Sequence, residues 1–330
     1  MKKVRWAVVG TSDFALDWLA RGIRLGRNSE LAAVVSRDPA RGAAAAQRVG
    51  APHSFASIET IDTSLVDGVF LSTPNTAHEP MTAAAAKRGL HVICEKPMAP
   101  TLAECQRMID VARANGVTLA IAHCMEWASP LTQARKLLQQ NAIGEILSAT
   151  ISMSYDAPPV AGGAWRQNDS LDAGGGPLYD VGVHALDTIT QLIGPAERVS
   201  ALIEKRVYLY AAEDTATLLL RFANGAHGVM QSHFTCHQNA FDIVGTTGRL
   251  WSNEWLGREI AGDLHLQQGD RVIDIPMDRV NVYVPQIEHI SECVLSGKTP
   301  VVSGERGMAN IAIIRAAIDS ARTGRIVSIS

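Results

Sequence analysis

The sequence predicts two domains: a doubly wound parallel α/β sheet, then an α+β domain on a large, mostly antiparallel open sheet. The length of 330 residues fits two domains, because one domain takes roughly 100–200 residues. Up to residue 123, short apolar strands alternate with helical segments, which is typical of parallel sheets with right-handed crossovers. Beyond it, strand-like segments follow one another through turns such as Ala223-Asn224-Gly225, which favours antiparallel pairing. We therefore predict domains at 1–123 and 124–330, the C-terminal helix being a candidate to pack back on the first.

The bulk composition indicates a cytoplasmic protein with a small-molecule partner. A net charge of −3 gives no electrostatic reason to expect nucleic acid or an anionic membrane as a partner. No apolar run of the sequence approaches the roughly 18 residues of a membrane span. The five cysteines form no CxxC pair, which fits unpaired thiols in a reducing compartment.

The first strand, over residues 3–10, leads into a helix that runs to about residue 25. A glycine-rich turn between a first strand and a helix is the position of the dinucleotide fingerprint G-x-G-x-x-G/A. Gly10 makes the tight turn, Ala15 is the small third residue, and Ser12 replaces the second glycine with a hydroxyl that can donate to a phosphate. The helix start offers free N–H groups and a positive dipole end to the pyrophosphate. The expected cofactor-binding residues here are Gly10, Thr11, Ser12, Asp13 and Phe14.

The second strand, over residues 31–35, ends at Ser36 with Arg37 beside it and Arg41 one helical turn on. An NAD site usually has an acidic residue at this strand end, to bind the ribose 2′-hydroxyl. A hydroxyl with an arginine fork suits a 2′-phosphate better. We therefore predict NADP (NADPH), with NAD as the alternative cofactor and a solvated surface as the alternative role of the arginines. Asp38 is interpreted as a helix cap before Pro39.

Three further strands, at about residues 66–71, 91–94 and 117–122, also end in polar segments. Because ligands bind beyond the carboxyl ends of parallel strands, these ends are expected to converge on one site. Lys96 stands out, since its ammonium can stabilise alkoxide character or exchange a proton; the alternative is a surface lysine in a turn. Cofactor contacts are predicted at Thr73, Pro74, Asn75, His78, Glu95, Lys96 and Pro97, and a substrate contact at His123.

The segment 172–184, DAGGGPLYDVGVH, is predicted to be a glycine-rich turn that leads into a helix. Glycines permit turns closed to other residues, and Pro177 suits a first helical turn. Asp180 and His184 are four residues apart, so they share one helix face. A carboxylate next to an imidazole is the pairing that a general base needs. The alternative is a glycine-rich loop with a solvated histidine.

The second domain is expected to contain a series of strands and closing helices near residues 285–295 and 307–321. His233, Cys236 and His237 are three potential metal ligands in this domain. On a continuous strand the two histidines would lie about 13 Å apart, too far to share an ion. We therefore predict no metal site. The expected strands cover residues 146–153, 199–208, 216–222, 228–234, 240–245 and 249–251.

Taken together, the fingerprint, the triplet Glu95-Lys96-Pro97 and the glycine turn with Asp180 and His184 resemble the Gfo/Idh/MocA family over nearly the whole chain. The resemblance implies hydride transfer between NAD(P) and a sugar, anhydrosugar, cyclitol or related polyol. It implies that the catalytic residues are Lys96, Asp180 and His184: His184 exchanges a proton with the substrate, Asp180 orients it, and Lys96 polarises the oxygen. The first domain would be an NADP-binding Rossmann domain, and the second would serve substrate binding and oligomerisation.

Within the family, Ser12, Ser36-Arg37 and Pro158-Pro159 followed by Trp165-Arg166 resemble the NADP-dependent 1,5-anhydrofructose reductase branch. By that resemblance, Trp165 and Arg166 lie near both nicotinamide and substrate, as a ring face for a sugar and a charged donor. Tyr283 matches a position that often faces the family's pocket, and a core tyrosine is equally open.

Two other functions fit the same fold. A redox-neutral NAD-dependent glycosidase is disfavoured by Ser36-Arg37, because such enzymes usually hold NAD. A non-catalytic dinucleotide or sugar sensor is disfavoured because Lys96, Asp180 and His184 are all present and no DNA-binding element is recognisable. Exposed sheet faces and edges are usually covered, and in this family they pair. We therefore predict a homo-oligomer, a homodimer or homotetramer formed through the antiparallel sheet.

Overall fold

The structure is a computed structural model that describes residues 2–159 and 165–329. It divides into two compact units, Met1–Cys124 with Asn281–Met308, and Met125–Val280 with Ala309–Ser330. The segment Asn281–Met308 therefore groups with the N-terminal part of the chain. Two bonds show why: the Trp6 indole donates to the Ser291 hydroxyl at 3.0 Å, and the Ile121 amide donates to the Val302 carbonyl at 2.8 Å.

The first unit contains a six-stranded parallel sheet in the order β3-β2-β1-β4-β5-β6. This is the doubly wound order, in which the direction of strand addition reverses next to β1. Five of the six residues of β1 are buried, as expected for a central strand covered on both faces. The prediction of a doubly wound parallel sheet is thus confirmed. The strands are β1 (Val4–Val9), β2 (Ser29–Val35), β3 (His53–Phe55), β4 (Gly68–Leu71), β5 (His91–Cys94) and β6 (Leu119–Ile121).

Local sequence signals explain where several helices begin and end. Asp38, the residue before Pro39, caps the start of α2 as predicted. Its side chain accepts from the Arg41 amide at 3.1 Å. Thr101 and Glu104 form a capping box at the start of α4. The α-helices are α1 (Arg21–Leu25), α2 (Pro39–Val49), α3 (His78–Lys87), α4 (Leu102–Ala114), α5 (Ser129–Gln139), α6 (Trp165–Asn168), α7 (Val183–Ile193), α8 (Tyr283–Ser296) and α9 (Gly304–Thr323).

Shorter helical turns precede some of these helices. The segments Ala15–Ala20 and Leu178–Gly182 are π-helical and run directly into α1 and α7. Turns of 3₁₀ type cover Ile58–Thr60, Asn75–Ala77, Cys124–Trp127 and Leu171–Ala173. None of the helices within residues 2–159 and 165–329 combines the length and the hydropathy that a membrane span requires.

The second unit contains a nine-stranded sheet in the order β15-β14-β12-β11-β7-β10-β9-β8-β17. All neighbours are antiparallel except β7 and β10, which confirms the mostly antiparallel prediction. The helix α7 packs against β7. The strands of this sheet are β7 (Ile146–Ser154), β8 (Ala196–Glu204), β9 (Thr215–Phe222), β10 (His227–His233), β11 (Gln238–Gly245), β12 (Gly248–Ser252), β14 (His265–Gln268), β15 (Arg271–Asp274) and β17 (Val327–Ser328). Two further strands, β13 (Glu259–Ile260) and β16 (Val280–Asn281), form a separate two-stranded sheet.

One predicted strand extends too far, and a strand-like alternation assumed further on is absent. The strand predicted over 199–208 ends at Glu204, because the buried Asp214 carboxylate accepts from the amides of Arg206, Val207 and Tyr208. Those amides bind a side chain instead of a neighbouring strand. The alternation assumed through His237 is also wrong: β10 ends at His233, and residues 234–237 connect it to β11 on the other side of β7. Within the described residues, no group of three or more His, Cys, Asp or Glu side chains could hold a metal ion.

Candidate active site

A cavity of about 510 Å³ lies beyond the carboxyl ends of β1, β2 and β4 in the first unit. Gly10 follows β1, Ser36 follows β2 and Ser72 follows β4, and all three line the cavity. The structure therefore brings several of the predicted strand-end residues together, at the edge where a doubly wound sheet binds ligands. The predicted cofactor residues in the lining are Gly10, Thr11, Ser36, Arg37, Arg41, Thr73 and Pro74.

At Gly10 the backbone of the neighbouring strand end comes very close. Its φ of +122° is rarely adopted by residues with a side chain. A Cβ atom at Gly10 would lie 2.5 Å from the Ser72 carbonyl oxygen, which belongs to the backbone and cannot move aside easily. Ser12 accepts from the Ala15 amide at 3.2 Å, and its hydroxyl hydrogen can still donate to a ligand. The turn therefore allows a pyrophosphate to come close to the backbone.

The part of the cavity beyond β2 carries two guanidinium groups. Arg37 and Arg41 are both exposed and both line it, while Ser36 is buried. Glu59 is the acidic side chain in the described lining. A hydrogen bond from the Ser57 hydroxyl and one from its own amide lower the pKa of Glu59, so it is ionised at neutral pH. Two positive charges against one negative charge fit a phosphate group.

Several other predicted cofactor residues lie outside the cavity lining. Asp13 forms an exposed ion pair with Arg48 at 2.7 Å. The Phe14 ring packs edge-on against Tyr283, with 6.0 Å between the ring centroids. Asn75 is buried at the start of a 3₁₀ turn.

The buried His78 side chain connects two strand-end segments through hydrogen bonds. Its side chain is buried, with Nδ1 at 3.1 Å from the Pro97 carbonyl and 3.2 Å from the Met98 carbonyl, and Nε2 at 3.0 Å from the Thr73 carbonyl. Burial lowers the pKa of His78, although these carbonyls favour the charged ring. His78 is predicted to bind the cofactor, and its bonds also hold together the segments of Thr73 and Lys96.

Lys96 follows β5 in a segment fixed by local bonds. The buried Glu95 carboxylate accepts from the Lys96 amide at 3.2 Å, and the Lys96–Pro97 peptide is cis. His123, two residues after β6, is 1% exposed. Tyr283 is 3% exposed and packs between Phe14 and Trp18, with ring centroids at 6.0 and 6.2 Å. This packing is that of a core tyrosine, which the sequence left open beside the pocket role.

In the second unit, Asp180 is the centre of a polar group that we name the Asp180 cluster: Tyr155, Trp165, Arg166 and Asp180. The Tyr155 hydroxyl donates to Asp180 Oδ2 at 2.7 Å, and Arg166 Nε donates to Asp180 Oδ1 at 2.8 Å. The Asp180 side chain is 6% exposed. A carboxylate at this depth needs such partners, because burying an unpaired charge is costly.

Tyr155 was missed by the sequence analysis. It follows β7 directly, and its ring packs edge-to-face on Phe234 with centroids 5.1 Å apart. Burial raises the pKa of Tyr155, and the charge and the hydrogen bond of Asp180 raise it further, so the hydroxyl remains a donor. No spacing pattern in the sequence signals a contact between residues 25 positions apart. The one available signal is a tyrosine at the end of a strand that alternates towards the core.

Trp165 and Arg166 lie on α6, which is hydrogen-bonded to the segment that includes Pro158. The Arg166 guanidinium lies 4.9 Å from the Trp165 ring centroid, in a cation–π arrangement. Gln167 donates to the carbonyls of Ala157 and Pro158, both at 3.0 Å. These contacts place the predicted pair next to Asp180 and attach it to the segment that includes Pro158.

The predicted glycine turn and helix are present. Gly174 and Gly176 have φ values of +86° and +88°, and Pro177 directly precedes the helical segment. Asp180 lies in the π-helical turn and His184 in α7, and both are buried. The π-helical turn was not predicted, since nothing in the residue pattern distinguishes it from an α-helical one. Both Asp180 oxygens already accept from Tyr155 and Arg166, and each carboxylate oxygen can accept a second bond.

Comparison with known proteins identifies the family. The model of the oxidoreductase family with an NAD-binding Rossmann fold matches residues 4–123, and that of the GFO/IDH/MocA C-terminal domain matches residues 131–251. The D-xylose 1-dehydrogenase (NADP(+)) 2 of Haloferax volcanii is 30% identical over 329 residues, covering 98% of this chain and 99% of that protein. The chain belongs to the Gfo/Idh/MocA family.

Other Gfo/Idh/MocA proteins are similar to this chain over almost their full length. The 1,5-anhydro-D-fructose reductase of Ensifer adhaerens is 29% identical over 330 residues, with 98% of each chain covered. The solved structure of the aldose-aldose oxidoreductase from Caulobacter crescentus, complexed with glycerol, has a TM-score of 0.91 at 27% identity, covering 99% of this chain and 100% of that one. This Gfo/Idh/MocA chain is therefore an NAD(P)-dependent oxidoreductase acting on CH–OH groups.

Proposed function

We propose that this enzyme transfers a hydride between NADP(H) and a hydroxyl or carbonyl group of a sugar, anhydrosugar or cyclitol. The observation that carries the proposal is the Asp180 cluster: a buried carboxylate held by Tyr155 and Arg166, four residues before His184 in one helical segment. The names of the relatives from Haloferax volcanii and Ensifer adhaerens support the substrate class, since each name contains a sugar or an anhydrosugar.

In the proposed mechanism, the nicotinamide cofactor supplies or accepts the hydride when bound. His184 exchanges a proton with the substrate oxygen as a general acid or base. Asp180 stabilises the positive charge that His184 acquires, and Tyr155 and Arg166 fix the carboxylate for that role. The Lys96 ammonium polarises the reacting oxygen and stabilises alkoxide character on it. Trp165 is proposed to offer a ring face to the sugar.

NADP is the proposed cofactor. Ser36, Arg37 and Arg41 line the cavity beyond β2, where the adenosine ribose of a dinucleotide lies in a doubly wound sheet. Gly10 would let the pyrophosphate approach the backbone, and Thr11, Thr73 and Pro74 would line the rest of the path. The relative from Haloferax volcanii is named as an NADP(+) enzyme, which supports the same choice.

The first experiment follows nicotinamide absorbance over a panel of sugars, ketoses and cyclitols in both directions. We expect turnover that prefers NADP(H) over NAD(H), and we expect Arg37→Ala to raise the KM for NADP(H) while leaving that for NAD(H) nearly unchanged. The reason is that a guanidinium that binds the 2′-phosphate has no partner in NAD(H). Turnover that prefers NAD(H) would contradict the cofactor proposal. Glycoside hydrolysis without net redox change, or tight cofactor binding without turnover, would contradict the functional one.

We further propose that residues 1–123 bind the cofactor and residues 124–330 serve substrate binding and assembly. The second unit has a partly apolar sheet face, on which Leu202 and Leu219 are 70% and 55% exposed. The two leucines lie on the same face, because Ser200 and Leu202 pair with Leu219 and Thr217. A face of this kind is usually covered by a partner.

A homodimer or homotetramer formed through this sheet face is therefore expected in solution. Light scattering coupled to size-exclusion chromatography should give a mass of two or four chains. Leu202→Asp with Leu219→Asp should shift the mass towards the monomer, whereas Leu209→Asp, at a fully exposed leucine outside the strands, should leave it unchanged. A monomeric wild type would refute the proposal.

A further inference from the structure

Glu213 is a buried acidic residue that the mechanism above does not use. It directly precedes Asp214 and β9, and it is 6% exposed. Its carboxyl group packs against Gly176 in the glycine turn: a Cβ atom at Gly176 would lie 2.1 Å from Oε1 and 2.2 Å from Cδ. At Gly175 the nearest atom is the Asp169 carbonyl oxygen, 1.9 Å from an equivalent Cβ, and the Ala212 Cβ lies at 3.4 Å, an ordinary contact distance. The Glu213 carboxyl group thus fills the space that Gly176 leaves open.

The surroundings of Glu213 favour a neutral carboxyl group. Neither carboxyl oxygen makes a close, well-directed hydrogen bond to any of the described residues. Burial raises the pKa of Glu213 to about 8, and Asp214 adds to the rise. Its own amide, the Leu178 amide and the Lys205 ammonium act in the opposite direction but are outweighed. Tyr210 is close enough for the charge of Glu213 to influence its pKa, and it remains neutral because burial raises the pKa of its hydroxyl.

We infer that Glu213 is a positioning residue whose uncharged carboxyl group fixes the glycine turn and thereby the helical segment that bears Asp180 and His184. The turn Gly174–Pro177 connects the 3₁₀ turn Leu171–Ala173, which follows α6, to that helical segment. Leu178, which begins the segment, has an amide close enough to the carboxyl group to oppose the rise in its pKa. The inference rests on the proposed catalytic role of Asp180 and His184, and it adds a residue that acts through them.

The ionised form of Glu213 should disturb this arrangement. A negative charge without a close partner would be buried against the turn, and such a charge is relieved by movement or by water entry. The turn would then shift the start of the helical segment. A misplacement of about 1 Å at a catalytic group can cost roughly a hundredfold in rate, so activity should fall as Glu213 ionises above pH 8.

The kinetic test compares Glu213→Gln with Glu213→Ala. Glutamine keeps the shape of the protonated carboxyl group and cannot ionise. We expect Glu213→Gln to retain wild-type kcat within about threefold at pH 7 and to show no decline in kcat above pH 8. Glu213→Ala should lower kcat roughly tenfold or more, because the turn loses its support. Equal losses in both variants, or an unchanged alkaline decline in Gln, would overturn the inference.

A second measurement needs no activity. In the unfolded chain Glu213 titrates near 4.5, and in the folded chain near 8. Between these values the unfolded state loses its proton first, so the wild type is destabilised progressively as the pH rises, and the effect is constant above pH 8. Glu213→Gln should therefore gain in Tm relative to the wild type between pH 5 and 8 and keep that gain above. A Tm difference that is independent of pH would contradict a neutral buried Glu213.

A matched glycine pair tests the contact itself. Gly176 and Gly225 have the same φ of +88°, but a Cβ at Gly176 meets Glu213, whereas one at Gly225 has open space. Gly176→Ala should lower Tm and kcat more than Gly225→Ala does, and the excess should shrink in the Gly176→Ala/Glu213→Ala double variant. Additive losses would overturn the proposed contact. Should the wild type show no turnover, the catalytic proposal fails while both Tm measurements still decide the state and the contact of Glu213.

Discussion

Replacing Lys96 or His184 with alanine is expected to lower kcat roughly a hundredfold or more, while binding of NADP(H) stays within a few-fold of the wild type. General acid–base groups typically contribute a factor of about 10²–10⁴, and Lys96 is proposed to stabilise charge that develops only in the transition state. The measurements are kcat by nicotinamide absorbance and cofactor affinity by fluorescence titration. A loss in kcat and in kcat/KM of the same size indicates a transition-state interaction.

The control for Lys96→Ala is Lys87→Ala, at an exposed lysine in the last turn of α3. It should leave both kcat and cofactor affinity unchanged. The catalytic assignment would be wrong if Lys96→Ala or His184→Ala kept near-normal kcat, or if either variant lost cofactor binding and turnover together. In the second case the side chain would hold the cofactor and would not act on the substrate oxygen.

The parts of the site that follow from short-range chemistry could be predicted from the sequence. Gly10 was predicted to make the tight turn between strand and helix, and the structure gives it a φ of +122° there. Ser36, Arg37 and Arg41 were placed by their distance from a strand end, which in a parallel sheet determines the edge on which a residue lies. The cap at Asp38 has the same basis. Each of these inferences involves residues a few positions apart.

The parts that depend on contacts between distant segments could not be predicted. Tyr155 reaches Asp180 because β7 and the π-helical turn pack together, and Glu213 reaches Gly176 because the chain returns before β9. The sequence placed His78 only by its position after β4 and could not show that both of its nitrogens face backbone carbonyls. In all three cases the residue type was compatible with several roles, and only the folded arrangement selects one.

Replacing Gly10 with alanine should nearly abolish cofactor binding, and Gly194 offers a control with almost the same φ. The two glycines have φ values of +122° and +124°. A Cβ at Gly194 has no neighbour within 4 Å, whereas one at Gly10 meets the Ser72 carbonyl at 2.5 Å. Gly194→Ala should therefore cost only the strain of its backbone conformation, about 1–3 kcal/mol in the free energy of unfolding.

Gly10→Ala carries the same strain and in addition must move β1 away from β4 at the edge of the cavity. We expect a larger loss in the free energy of unfolding than for Gly194→Ala, and a Kd for NADP(H) raised by at least roughly a hundredfold, since the added methyl group also narrows the backbone approach to the pyrophosphate. Denaturant unfolding and cofactor titration measure the two effects separately. Equal destabilisation in both variants, with cofactor affinity unchanged at Gly10, would mean that the turn relaxes around the methyl group and that the pyrophosphate binds elsewhere. A loss confined to Gly10 would locate the pyrophosphate at the end of β1 without reference to any relative.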